Sequence, residues 1–225
     1  MTPTAFASSS IGPTASPALQ VLRISASPGG AQSESLRLSQ QILEALAARS
    51  AQHVGPPIAL TELDTNQLAP VDAAYAAALA AREDPATPPA SGSALHRSDA
   101  LIAQLEAADV VVIATPMHNF TVPSALKAWV DHIVRVRATF AITPQGKTGT
   151  LRDRPVYVAV SSGGFITGER ARQPDFLQPY LRVALATVGL HDVQFFSVEG
   201  TALGDAALES GRAQAQAAVA AALAL

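Results

Sequence analysis

Five short apolar runs, Gln20–Ser25, Pro57–Glu62, Asp109–Ala114, Pro155–Val160 and Asp192–Ser197, alternate with stretches of helical periodicity. This alternation constrains the fold more than any other property of the chain. Runs such as Val110-Val111-Val112-Ile113-Ala114 are continuous, as in a strand buried on both faces. The helix candidates are Ser33–Ala48, Ser98–Ala107, Val122–Val136, Phe176–Val188 and Asp205–Leu223. Most of their apolar residues, such as Leu126, Trp129, Val130 and Ile133, recur every three or four positions. Strand and helix in strict alternation imply an α/β fold, a parallel sheet with helices on both faces joined by right-handed crossovers.

Five units match the flavodoxin-like strand order 2-1-3-4-5, whereas a dinucleotide-binding Rossmann fold calls for a sixth strand and a glycine fingerprint after the first. Two segments interrupt the alternation. The stretch 71–97 has an alanine-rich half that suits a helix and a Pro85–Pro89 half that does not, and it reads more readily as solvated padding than as cover for a site. Residues Thr139–Asp153, with Gly146 and Gly149, suit a hairpin-like extension.

At 225 residues and 48% hydrophobic composition, the chain suits one domain over 19–225 with a sizeable core. Residues 1–18, rich in Ser, Thr, Ala and Pro and without charge, read as a disordered tail lacking the basic and apolar regions of a secretory signal. A net charge of −3 with scattered cations excludes an extended nucleic-acid surface. No apolar stretch reaches membrane-span length, and the absence of cysteine rules out disulfides, thiolate metal sites and a catalytic thiol. A cytoplasmic protein without metal is expected.

Open α/β sheets take their ligands at the carboxyl ends of the strands. The first strand ends in Ser27-Pro28-Gly29-Gly30-Ala31-Gln32-Ser33-Glu34-Ser35, where hydroxyls surround a helix N-terminus, with Ser33 as the expected N-cap. Unpaired amides and hydroxyls there suit a phosphate held without a salt bridge, while the loop lacks both the P-loop Gly-Lys-Ser/Thr ending and G-x-G-x-x-G. Taken alone, such a loop is more often only a cap and a turn.

The third strand ends in Thr115-Pro116-Met117-His118-Asn119-Phe120, and Pro123 is expected in the first turn of the next helix. A thioether, an imidazole, a carboxamide and a phenyl ring suit a flat, polar-edged aromatic ligand, although Met117 or Phe120 alone is more often core and His118 alone a turn residue. The fourth strand ends in Ser161-Ser162-Gly163-Gly164, whose glycines permit close backbone approach. Three polar turns on one sheet edge favour a shared mononucleotide site over three unrelated loops.

At these residues the chain resembles the FMN-dependent NADH:quinone oxidoreductase and azoreductase family. The resemblance runs from Val21 to the last helix, and the motif Thr115–Trp129 is its most specific part; Ser27-Pro28 with Ser33–Ser35, Ala138-Thr139-Phe140 and Ser161–Gly164 add to it. It implies that Ser27, Ser33, Glu34 and Ser35 bind the FMN phosphate, and that Met117, His118, Asn119, Phe120, Ser161, Ser162, Gly163 and Gly164 hold the ring and ribityl parts. It further implies a homodimer with the flavin near the interface, for which Trp129 and its helix offer a surface. NADH or NADPH would give a hydride to the flavin, leave, and be replaced by a quinone or an azo compound, so no protein nucleophile is needed. Two positions depart from the family pattern: His118 stands where Tyr is usual, and Ser162 where Arg is frequent. From the residues alone, a flavodoxin-like FMN electron carrier without NAD(P)H oxidase activity, or a flavin-free relative, stays open.

Overall fold

In a computed structural model that describes residues 18–52, 55–81 and 88–223, the apolar runs become β1 (Leu19–Ser25), β2 (Ile58–Asp64), β3 (Val110–Pro116), β6 (Val156–Ser162) and β7 (Val193–Glu199). They pair in parallel in the order β2-β1-β3-β6-β7. This is the 2-1-3-4-5 order anticipated from the alternation. The tail expected over residues 1–18 lies, except for Ala18, outside the described residues, as does part of the Pro85–Pro89 stretch.

Alternation along each strand sorts side chains onto two faces. Val110 and Val112 pack with Leu38, Ile42 and Leu46 of α1 (Glu34–Gln52) and with Ala215 and Val219 of α6 (Asp205–Ala222). Val111 and Ile113 meet Leu101 and Leu105 of α3 (Ala94–Ala107), Leu126 and Trp129 of α4 (Ser124–Ile133), and Leu181 and Leu185 of α5 (Leu177–Val188). The central strands β3 and β6 are buried almost throughout, which explains their unbroken apolar sequence.

Trp129 is 0% exposed within this second core, so it is not a dimerisation surface. An amphipathic helix has one strong apolar face, and the sheet has taken it.

Other elements shift at their ends. Helix α3 starts earlier than Ser98 because the Ser93 hydroxyl accepts the His96 N–H, while Ser98 turns inward and donates to His132 O at 2.6 Å. Pro123 is the N-cap of α4 rather than a first-turn residue, and the helix stops at Ile133, where Val134 leaves helical geometry.

The alanine-rich excursion contains α2 (Ala73–Ala80), capped by Asp72. Buried Tyr75 fastens it to α4 through hydrogen bonds from its hydroxyl to Asp131 O and His132 O and through edge-on contact with the His132 ring. The segment after α4 forms the antiparallel hairpin β4 (Phe140–Thr143) and β5 (Gly146–Gly149). Gly149 lies directly against Val188 and Gly189 at the end of α5, where no Cβ would fit. Among the described residues, no helix is long and apolar enough to cross a membrane.

Candidate functional site

Strands β1, β3 and β6 are neighbours in the sheet, so the three polar turns at their carboxyl ends lie side by side. Backbone bonds join them: Ala26 N–H donates to Ala114 O at 2.9 Å, and Met117 N–H to Ser161 O at 2.8 Å.

In the first turn, buried Ser27 accepts the Gly29 N–H at 3.2 Å, and a 3₁₀ turn over Gly30–Gln32 leads into α1. Ser33 is extended and immediately precedes the helix, as expected of an N-cap, but its hydroxyl bonds Ser35 Oγ at 2.9 Å. Ser35 is fully buried, so it orients Ser33 from beneath rather than facing a ligand. The Arg37 N–H to Ser33 O bond, 3.0 Å, opens the helical ladder, leaving the Glu34, Ser35 and Leu36 N–H groups ahead of it with no intrahelical acceptor. Two hydroxyls and a helix N-terminus therefore form an anion-receptive corner.

The Glu34 carboxylate is engaged elsewhere: Arg212 of α6 donates to both its oxygens, at 3.0 and 2.5 Å. The Arg212 hydrogen bond, outweighing burial, holds the Glu34 carboxyl below its usual range. What Glu34 offers the corner is its N–H.

The second turn is built unusually. His118 and Thr121 exchange backbone hydrogen bonds at 2.9 and 3.0 Å, and between them Asn119 and Phe120 have φ of 47° and 72°. Two successive left-handed residues make a type I′ turn, a geometry usually left to Asn-Gly. A left-handed Phe costs on the order of 1–2 kcal/mol, which the surrounding structure must over-determine. Here the Phe176 N–H supplies one such restraint, donating to Phe120 O at 2.9 Å. The turn leaves His118, Asn119 and Phe120 exposed, Phe120 by 47%, while Met117 packs partly against the core.

The third turn is tied to the segment after β7: Thr201 N–H donates to Ser162 O and Ala202 N–H to Gly163 O, both at 3.1 Å. Ser161 and Ser162 are buried, and Gly163 and Gly164 half-buried. All twelve residues expected to form a site thus lie on one edge of the sheet, with Ser35 and the Glu34 side chain turned away from its surface.

Three other residues shape this edge. Asn66 Nδ2 donates to Ser27 O at 3.0 Å. Glu199, 8% exposed, accepts from Ile166 N–H (2.8 Å), Thr167 N–H (3.2 Å), Thr167 Oγ1 (2.7 Å) and Ser197 Oγ (2.9 Å). Burial opposes its charge, yet these hydrogen bonds outweigh burial and hold the carboxyl below its usual value. Gln173 bridges the second and third turns. None of the three carried a local sequence signal.

A cavity of about 700 Å³ lies along β7 and α6, lined by residues including Phe165, Phe196, Glu199 and Gln214 rather than by the three turns. The Thr167 and Ser197 hydroxyls in its lining are both committed to Glu199, whereas the turn after β1 sets hydroxyls beside the open amides of a helix N-terminus, so the chemistry points to the turns.

The chain matches the family model described as the flavodoxin-like fold over residues 20–223. It is 45% identical over 202 residues to FMN-dependent NADH:quinone oxidoreductase 4 of Pseudomonas fluorescens, covering 88% of this chain and 93% of that protein. It is 46% identical over 194 residues to FMN-dependent NADH:quinone oxidoreductase 5 of Burkholderia lata, covering 86% and 91%. Among solved structures, an azoreductase from Bacillus anthracis superposes with a TM-score of 0.75 at 22% identity, covering 91% of this chain and 98% of that one. An FMN-dependent NADH-azoreductase from the same species, in complex with FMN, gives 0.70 at 23% identity, covering 91% and 99%. Both structures share the fold.

Proposed function

We propose a function from one premise: this chain belongs to the FMN-dependent NADH:quinone oxidoreductase family, built on the flavodoxin-like fold. It is an FMN-dependent oxidoreductase that passes a hydride equivalent from NADH, or NADPH, to quinones and to aromatic azo compounds. When bound, FMN would supply the redox chemistry, a carrier for the two electrons and proton of a hydride between nicotinamide and acceptor, with the acceptor's second proton coming from solvent.

The donor set fits that cofactor. Ser27, Ser33 and the Glu34–Leu36 amides are neutral donors suited to a phosphate, with Ser35 orienting Ser33. The 161–164 turn brings a close-approach backbone, and Met117, Asn119 and Phe120 offer apolar and polar contact to a ring system. With His118 and Ser162 at these positions, neither turn carries an arginine or a lysine. The observation that carries the reading is the convergence of these three turns on the edge formed by β1, β3 and β6.

The protein acts in the cytoplasm as a homodimer. With Trp129 buried, the surface that supports dimerisation is the exposed apolar strip of Phe120, Phe176 (60% exposed) and Val183 (68% exposed), the last two spaced seven residues apart along one face of the α5 region.

Anaerobic mixing of the FMN-loaded protein with NADH should bleach the flavin spectrum, and adding benzoquinone should restore it, with parallel double-reciprocal plots for the two substrates. FMN uptake without bleaching would favour the electron-carrier alternative.

A further inference from the structure

The segment between β6 and α5, Phe165–Pro174, is fixed along its length. Glu199 holds the Ile166 and Thr167 amides, and Arg172 N–H donates to Phe165 O at 3.2 Å, folding the segment back on itself. Asp175 then accepts the Leu177 and Gln178 N–H groups at 2.8 and 3.0 Å, starting α5.

This anchoring sets the half-buried side chain of Gln173 across two of the three turns. Its Nε2 donates to Ser162 Oγ at 2.9 Å and approaches Met117 Sδ at 3.8 Å. Its Cδ and Oε1 lie over Gly164, so that a Cβ there would meet both at 3.3 Å. Among the described residues, no donor bonds Gln173 Oε1.

We propose that Gln173 is a positioning residue for the flavin: its carboxamide clamps the 117–120 and 161–164 turns into one wall and leaves Oε1 as an acceptor on the ligand side. The proposal rests on the FMN reading above. It also gives Ser162, the position where Arg is frequent in the family, a neutral partner instead of a charge. A wall whose two turns are joined by the Met117–Ser161 backbone bond and locked by the Gln173 side chain is pre-organised for its ligand, and losing the side-chain bond should appear in cofactor affinity and potential rather than in global stability.

The test is FMN binding by fluorescence quenching together with spectroelectrochemical midpoint potential, on wild type, Gln173→Met, Ser162→Ala and the double variant. Gln173→Met keeps length and the Met117 contact but loses the hydrogen bond. It should weaken FMN binding about tenfold, the scale of one hydrogen bond. Ser162→Ala should do nearly the same, and the double variant little more than either, because both remove one interaction. Gln173→Glu, which can still accept from the Ser162 hydroxyl but adds a negative charge, should move the potential negative.

Additive losses, or unchanged affinity and potential in Gln173→Met, would overturn the clamp while leaving the FMN reading intact. A fall in the melting temperature of the flavin-free variant without a change in affinity would reduce Gln173 to a structural residue. Wild-type protein that takes up no FMN would remove both the reading and the clamp.

Discussion

Glu199 is a buried carboxylate whose worth can be estimated from its partners, because each oxygen accepts from two donors. One takes the Ile166 and Thr167 amides, and the other takes the Thr167 and Ser197 hydroxyls. In Glu199→Gln, the amide oxygen can keep both N–H groups while its nitrogen donates to hydroxyls free to rotate. What is lost is charge assistance, about 1 kcal/mol for each N–H bond, partly offset by the lower cost of burying a neutral group, for a net destabilisation of about 1–2 kcal/mol. In Glu199→Ala the Ile166 N–H, at a buried residue, is left without a partner, and the more exposed Thr167 N–H falls back on water. The expected cost is about 3 kcal/mol. Urea denaturation at neutral pH should give this order with an unchanged m value, and hydrogen exchange should show lost protection at the Ile166 and Thr167 amides. Equal effects of Gln and Ala, or losses below about 0.5 kcal/mol in both, would refute the reasoning.

The carboxyls of Glu199, Glu34 and Asp153 are all held below their usual values, Asp153 first by the His191 N–H. A depressed folded pKa means the stabilisation is complete above the unfolded value and lost as pH falls through the folded one. Stability measured by urea should therefore drop below about pH 4.5, and Glu199→Gln should flatten that fall. Gly149→Ala would drive a Cβ into the Gly189 nitrogen and the Val188 carbonyl carbon; thermal unfolding should report a loss of about 3 kcal/mol, whereas the same change at exposed Gly92 (φ 77°), with open space around it, should cost about 1 kcal/mol. Phe176→Glu with Val183→Glu should turn the proposed dimer into a monomer in analytical ultracentrifugation without unfolding it, and a persistent dimer would exclude that strip.

The sheet was legible because a parallel strand buried on both faces has no choice of composition: β3 and β6 are apolar at nearly every position. The edge strand β2, half-exposed, was legible from the short apolar run at Pro57–Glu62. Trp129 misled for a physical reason, since periodicity marks an apolar face without saying whether the sheet or a second copy covers it. The type I′ turn at Asn119-Phe120 was not legible, because Phe is an uncommon choice for positive φ and only the backbone pairing around it reveals the geometry. Ser33 could be read as a cap from its neighbours, but its reliance on Ser35 needed the side-chain directions. Gln173 and Glu199 act across 56 and 33 residues of sequence, respectively, beyond any local pattern.

The central claim is that the turn after β1 is a phosphate corner serving a flavin mononucleotide, and comparing FMN with riboflavin tests it most directly. The two ligands share the ring and ribityl chain and differ only in the phosphate. Isothermal titration of the flavin-free protein should give FMN an affinity about 100-fold higher, the scale of two charge-assisted hydrogen bonds, and Ser27→Ala with Ser33→Ala should close most of that gap while leaving riboflavin binding unchanged. Equal affinities for the two flavins in the wild-type protein would contradict the account.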